Sequence, residues 1–326
     1  MAVAAQSSVD KQALKARLRG VSVAVVTPFT REGELDEAGL RKNLGFLVDE
    51  GIREGQGFLL LLGTTGEFSN LSREEARRVV RLGVEECKGR VPLVVGANHS
   101  NMRDVIEFGQ YVAAEGADAI LVRPTYYWGV PSEEMVLRHY GEVAREVPIG
   151  IVVYNRCLSN VVDLPIPTLK KLAEMERVIG LKDGTPSFSK FDRTIKELSG
   201  KISCINGWGE VYEPYTLLMG SDGFLSVIAN FLPRVSLRLF SLARAGNYPG
   251  AEGLHGLLVP LLDVLFSGVY GQFVELAKHG MELSGLAGGP ARDPLPRATG
   301  EQRAQLERCL EALRVAVRGE GTVTST

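Results

Sequence analysis

The sequence predicts a (β/α)8 barrel from three observations. Short apolar runs alternate with amphipathic stretches as far as Asn230, giving eight pairs at spacings of roughly 20 to 40 residues. The runs are continuously apolar rather than alternating, as in parallel strands buried on both faces. The turn after the first run reads Thr27-Pro28-Phe29-Thr30. A doubly wound dinucleotide fold would carry a Gly-x-Gly-x-x-Gly turn there.

The elements follow in order. Val21 to Thr27 is the first strand, and a helical pattern runs from Asp36 to Glu50. Phe58 to Leu62 precedes a helix from Ser72 to Lys88, opened by a capping box in which Ser72 and Glu75 satisfy each other's free donors. Pro92 to Gly96 leads to Met102–Glu115, and Ala119 to Val122 leads to Ser132–Glu146, which carries a weaker form of the box. Ile149 to Tyr154 precedes Pro165–Met175, and Val178 to Lys182 precedes Ser187–Leu198. Ile202 to Ile205 precedes Glu210–Met219, and Phe224 to Ile228 closes the series.

Beyond Asn230 the strands stop. Leu232–Ala245, Ala251–Phe266 and Tyr270–Leu283 read as helices, Gly285 to Pro296 as a loop rich in Gly and Pro, and Gly300–Arg318 as a last amphipathic helix. The expected organisation is an N-terminal tail and short helix over 1–19, a barrel over 20–230, a helical region over 231–318 and a disordered tail over 319–326.

Composition narrows the function classes. With 326 residues, 45% of them hydrophobic and 23% charged, the chain can bury a full core. A formal net charge of −2 gives no reason to expect nucleic acid or an anionic membrane as partner. No apolar run is long enough to span a bilayer. Cys87, Cys157, Cys204 and Cys309 lie far apart with no Cys-x-x-Cys pair, so they read as free thiols in the cytoplasm. His99, His139, His255 and His279 form no metal-ligand spacing.

In such a barrel the chemistry sits at the C-terminal ends of the strands. Lys182 ends the sixth strand. By position alone it reads as a structural lysine, paired to Asp183 or to a loop. To attack a carbonyl its amine must be neutral, and lowering its pKa to roughly 7.5 costs ~4 kcal/mol, which desolvation at the barrel mouth can supply. The loop Gly63-Thr64-Thr65-Gly66-Glu67 after the second strand offers hydroxyls and backbone N–H groups that suit a carboxylate. Tyr154 ends the fifth strand and can move protons. Arg156, two residues on, can hold a second carboxylate. A hidden amine, an anion loop and a phenol suit Schiff-base chemistry on a 2-keto acid, with no metal or organic cofactor.

These residues resemble the dihydrodipicolinate synthase/N-acetylneuraminate lyase family. The matching pieces, in the family's order, are Gly63-Thr64-Thr65-Gly66-Glu67-Phe68, Pro124-Thr125-Tyr126-Tyr127, Tyr154-Asn155, Gly180-Leu181-Lys182-Asp183 and Gly223-Phe224-Leu225-Ser226. The resemblance implies a barrel with a C-terminal helical region, assembled as a homotetramer. It implies that Lys182 forms the Schiff base and Tyr154 is the proton donor and acceptor. Thr64 would stand in a relay with Tyr127, which in the family reaches in from the neighbouring subunit. Thr65 and the backbone at Leu225 would hold the keto-acid carboxylate.

The sequence departs from the synthase pattern at one place. The synthase's arginine, five residues after the tyrosine, is here Ser159, and an arginine stands instead at Arg156. Tyr154-Asn155-Arg156 is more similar to the family's keto-deoxyglucarate dehydratases, which tend to lack the threonine present here as Thr64, whereas Leu62-Gly63-Thr64-Thr65-Gly66-Glu67-Phe68-Ser69 and Tyr126-Tyr127-Trp128 are similar to its keto-deoxygluconate aldolases. The expected activity is therefore aldol cleavage or condensation of a 2-keto-3-deoxy sugar acid, with pyruvate as the keto-acid half. A dehydratase, a dihydrodipicolinate synthase and a non-catalytic keto-acid sensor are the alternatives.

Overall fold

The computed structural model describes residues 10–125, 130–156 and 163–319. Eight strands close into one barrel in chain order, each parallel to the next, with the last paired back to the first. They are β1 (Gly20–Ala24), β2 (Gly57–Leu61), β3 (Leu93–Gly96), β4 (Ala119–Val122), β5 (Gly150–Asn155), β6 (Val178–Asp183), β7 (Ser203–Asn206) and β8 (Gly223–Ser226). Every residue in all eight strands is buried, which explains the unbroken apolar runs.

Burial extends past strand pairing at β1. Val25 and Val26 continue the apolar run and are buried; the Val25 N–H still donates to the Leu60 carbonyl of β2 at 3.0 Å, and Val26 lies beyond the ladder. The Val26 N–H donates instead to Asn230 Oδ1 at 3.0 Å.

A short helix, α1 (Lys11–Arg17), precedes the barrel. Lys11 Nζ ties it to the carbonyls of Ala173 and Met175, and Leu18 then packs into the barrel interior near Gly180. The outer helices are α2 (Glu37–Asp49), α3 (Arg73–Cys87), α4 (Met102–Glu115), α5 (Glu133–Glu146), α6 (Ile166–Glu174), α7 (Phe188–Leu198) and α8 (Tyr215–Met219). Each turns one face inward. On α2, Leu40, Leu44 and Leu47 are buried at helical spacing, each worth about 1.5–3 kcal/mol of removal from water. The capping box on α3 forms as expected, with Ser72 and Glu75 each accepting the other's backbone N–H.

The eighth helix departs from expectation. Glu210–Met219 is not one helix but a 3₁₀ turn, Gly209–Val211, followed by the five-residue α8. Pro214 interrupts it: the ring has no N–H to donate and the Glu213–Pro214 bond is cis.

Four helices follow the barrel: α9 (Pro233–Arg244), α10 (Tyr248–Phe266), α11 (Gln272–Glu282) and α12 (Gly300–Gly319). They pack on the barrel and on each other; Asn230 Nδ2 donates to the Ala24 carbonyl at the start of this extension. Helix α10 begins before the expected Ala251 and continues through Pro260, while α11 begins after the expected Tyr270. No helix among the described residues is long and apolar enough to cross a membrane. The expected tail beyond α12, together with Tyr126, Tyr127, Trp128, Cys157 and Ser159, lies outside the described residues.

Candidate active site

Strand register builds the centre of the site. Tyr154 on β5 pairs directly with Lys182 on β6, and Asn155 pairs with Asp183. Successive side chains on a strand point to opposite faces. Tyr154 and Lys182 therefore face the barrel interior, while Asn155 and Asp183 face the helices. The alternative of a Lys182–Asp183 pair is thereby removed. Asp183 instead accepts from Asn155 Nδ2 and from the Thr185 N–H, each at 2.9 Å. Asn155 also accepts from the Leu164 N–H, so this outward pair ties the segment that enters α6 to β5.

Lys182 is 6% exposed, and its Nζ lies 3.9 Å from the centre of the Tyr154 ring. Burial lowers the amine's pKa from its ordinary value, and the Tyr154 oxygen acts in the opposite direction. For Tyr154, burial alone would raise the phenol. The charges of Lys182 and Arg156 and the Thr64 hydroxyl outweigh it and bring the group down to about 8. Tyr154 can thus change protonation near pH 8, and the Lys182 amine gives up its proton more readily than an exposed lysine. Thr64 Oγ1 is buried beside the Tyr154 hydroxyl but takes no well-angled hydrogen bond among the described residues. Its expected relay partner, Tyr127, lies outside them.

The two threonines come from the loop after β2. Two non-glycine residues in left-handed backbone, Leu62 and Glu67, both at φ 53°, bracket it. Such conformations cost of order 1–3 kcal/mol each and persist where surrounding contacts enforce them. Thr27 Oγ1 holds the loop by donating to the Gly66 carbonyl at 2.8 Å. Glu67 holds it more firmly. Its Oε2 accepts from the Arg292 N–H at 2.8 Å, and its Oε1 lies 2.5 Å from Lys278 Nζ. The second contact is an ion pair of close approach rather than a well-angled hydrogen bond. The Glu67 and Lys278 side chains are 0% and 1% exposed. Lys278 also donates to the Pro290 carbonyl and lies over the Phe29 ring. The anion loop is thus fastened to the C-terminal extension.

A cavity of about 310 Å³ opens over these groups, lined by Thr64, Thr65, Tyr154, Arg156, Lys182 and Leu225. Six of the eight expected site residues are therefore together. Tyr127 lies outside the described residues. Gly63 is not at the cavity wall: its carbonyl turns back to accept from the Phe68 N–H, closing the loop behind Thr64. Leu225 brings β8 to the site, its carbonyl packed where a Cβ on Gly209 would stand at 2.4 Å.

The far wall is shared by Trp208 and the C-terminal extension, and only the extension's share was not expected from sequence. Trp208 lines it, anchored by its indole N–H to the carbonyls of Gly184 and Thr185. Phe266, Val269, Tyr270 and Phe273, from the α10–α11 junction, complete it. The Arg156 guanidinium lies 4.6 Å from the centre of the Tyr270 ring. Among the described residues no carboxylate pairs with Arg156. A second hollow, of about 480 Å³, lies beside Gln56 between α9 and α12, at the opposite end of the strands. It contains none of these groups.

The model of the dihydrodipicolinate synthetase family matches residues 17–313. The chain belongs to that family. Like the family, it is a lyase that works through a lysine Schiff base. A 4-hydroxy-tetrahydrodipicolinate synthase of Rhodopseudomonas palustris (strain BisA53) is 34% identical over 279 residues, covering 85% of this chain and 90% of that one. The protein of the same name from Methanopyrus kandleri is 33% identical over 299 residues, covering 91% and 97%. Among solved structures, the chloride-inhibited dihydrodipicolinate synthase of Acinetobacter baumannii complexed with pyruvate superposes with a TM-score of 0.83 at 29% identity, covering 91% of this chain and 99% of that one. Family membership gives the barrel mouth a chemical meaning. An amine, a phenol and a hydroxyl-bearing loop in one apolar cavity can form and hydrolyse an imine, moving protons without bulk water.

Proposed function

We propose that this protein is a class I lyase acting on a 2-keto-3-deoxy sugar acid, with pyruvate as the keto-acid half. The observation that carries the reading is the register pair Tyr154–Lys182, buried in a cavity that Arg156 also lines. Thr65 and the loop N–H groups take the C1 carboxylate beside Leu225. Lys182 Nζ, as the neutral amine, attacks the C2 carbonyl carbon. Tyr154 passes a proton to the oxygen, and loss of water leaves an iminium. The iminium draws the electrons of the breaking C3–C4 bond into an enamine, while the C4 hydroxyl gives up its proton and becomes the aldehyde. Protonation at C3 and hydrolysis release pyruvate and restore the amine. Thr64 relays protons to and from Tyr154, with Tyr127 of a neighbouring subunit as the relay's other end in a homotetramer.

Arg156 favours a second reading. A guanidinium lining the cavity with no carboxylate partner among the described residues suits a substrate whose far end is anionic. With a diacid, the same iminium would acidify C3 and expel a neighbouring hydroxyl as water, with Tyr154 supplying the proton. The aldehyde carboxylate used by a 4-hydroxy-tetrahydrodipicolinate synthase is a further occupant that Arg156 could take.

The test is chemical trapping. The protein is incubated with pyruvate and a panel of 2-keto acids, reduced with borohydride and mapped by mass spectrometry. The expected adduct is on Lys182; no adduct there with any keto acid overturns the reading. Substrates that release pyruvate identify the aldolase, and those that only lose water identify the dehydratase.

A further inference from the structure

Arg156 follows the last residue of β5, where the backbone leaves the sheet. An arginine there has no ladder to orient it, and its long side chain is free to turn toward solvent. It lines the cavity nonetheless, and no described carboxylate draws it in. The group that receives it is the face of Tyr270, 4.6 Å from the guanidinium carbon. An arginine over an aromatic face is attracted by the ring's negative quadrupole, and its planar donors stay free to point edgewise.

Tyr270 is itself held. Its ring packs on Phe273 at 5.9 Å, and Phe273 packs on Phe266 at 5.7 Å. Gly271, at φ 96°, then turns the chain into α11 in a conformation that disfavours other residues. The ring is thus a fixed shelf, supplied from outside the barrel.

We infer that Tyr270 is a positioning residue that fixes the Arg156 guanidinium at the far end of the cavity, and that this pair makes the site select 2-keto acids with a carboxylate at the distal end. The inference rests on the proposed Schiff-base site and on Arg156 as its distal group, and adds the element that positions the guanidinium. Without the shelf, Arg156 turns out to solvent and the cavity end becomes apolar. The selecting element then lies at the α10–α11 junction, not on a barrel strand.

The test uses the full chain and two probes of equal backbone length, 2-ketoglutarate and 2-ketopentanoate. Their half-saturating concentrations for borohydride trapping on Lys182 are compared. The wild type is expected to prefer 2-ketoglutarate. Tyr270→Ala should weaken 2-ketoglutarate by about fivefold to tenfold, the scale of one partly desolvated cation–π contact, and shift 2-ketopentanoate less than about twofold. Tyr270→Phe keeps the ring and should retain the preference. In an Arg156→Ala background, Tyr270→Ala should have no further effect. Tyr270 is 55% exposed, so its removal leaves the core intact.

Equal shifts for the two probes, or additive losses in the double variant, overturn the inference alone. A wild type that traps pyruvate but shows no preference for 2-ketoglutarate does the same. A wild type that traps nothing on Lys182 removes the Schiff-base site as well, and the inference with it.

Discussion

Tyr154 and Lys182 stand opposite one another on neighbouring parallel strands, with the amine over the face of the phenol ring. Strand register alone sets that arrangement. No flexible loop intervenes, so the two groups keep their separation whatever occupies the cavity. Each also sets the other's chemistry: the ammonium favours the phenolate, and the phenolate holds the proton on the amine.

Removing either member separates their roles. Lys182→Met should abolish borohydride-trapped adducts with every keto acid while circular dichroism and thermal melting remain those of a folded barrel. Tyr154→Phe should still form the adduct, slowly, and lower kcat by about 10²–10⁴-fold, the usual contribution of a positioned general acid–base group. Full turnover by Tyr154→Phe would transfer the proton role elsewhere.

The Tyr154 hydroxyl should titrate apart from other tyrosines. Ultraviolet difference spectra are expected to show one phenol ionising near pH 8. Lys182→Met removes the neighbouring positive charge and should move that midpoint upward; Thr64→Val removes the hydroxyl beside the phenol and should move it upward by less. Because the folded value is depressed, the stability linked to this group is present above the ordinary value near 10 and is lost as pH falls through about 8. A midpoint unaffected by Lys182→Met would dissociate the pair.

Glu213 gives the opposite sign. It is fully buried, accepting from Asn206 Nδ2, the Thr216 hydroxyl and the Leu217 N–H. Burial pushes its carboxyl up to about 8, despite those donors. Its stabilising contribution is complete below about 4.5 and lost as pH rises through about 8, an effect on the order of a few kcal/mol. Melting temperature should decline from pH 6 to 8, and Glu213→Gln should flatten that decline. An unchanged slope in the variant would assign the decline to another group.

The Glu67–Lys278 pair should behave as a buried ion pair. Lys278→Met strands a carboxylate and should cost about 3–5 kcal/mol in urea unfolding. Adding Glu67→Gln removes the stranded charge and should recover part of that loss. If the single change costs less than about 1 kcal/mol, water reaches Glu67 and the pair is not what seats the anion loop.

The barrel was legible because its strands are buried on both faces, which leaves continuous apolar runs in the sequence. Lys182, Tyr154 and Thr64-Thr65 were legible because each directly follows or ends such a run. Gly63 suits an anion loop by composition, and what the sequence does not show is that its carbonyl closes the turn behind Thr64. The break before α8 required knowing that Pro214 would stop a pattern otherwise helical through Met219. Tyr270 left no signal. Spaced three residues from Phe273, it reads as one face of a helix, and only the packing of the extension brings it to Arg156. Glu67 and Lys278 are likewise joined only by tertiary packing.

That last pair also orders events during synthesis. All eight strands, with Lys182 and Tyr154, have left the ribosome once Ser226 emerges. The counter-ion of Glu67 and the backbone donor at Arg292 have not. A chain stopped at that stage carries the amine and the phenol but lacks both groups that anchor Glu67, so it cannot hold a keto acid firmly. Binding competence arrives only with the last quarter of the chain, and prematurely terminated products should be inert toward keto acids rather than partially active.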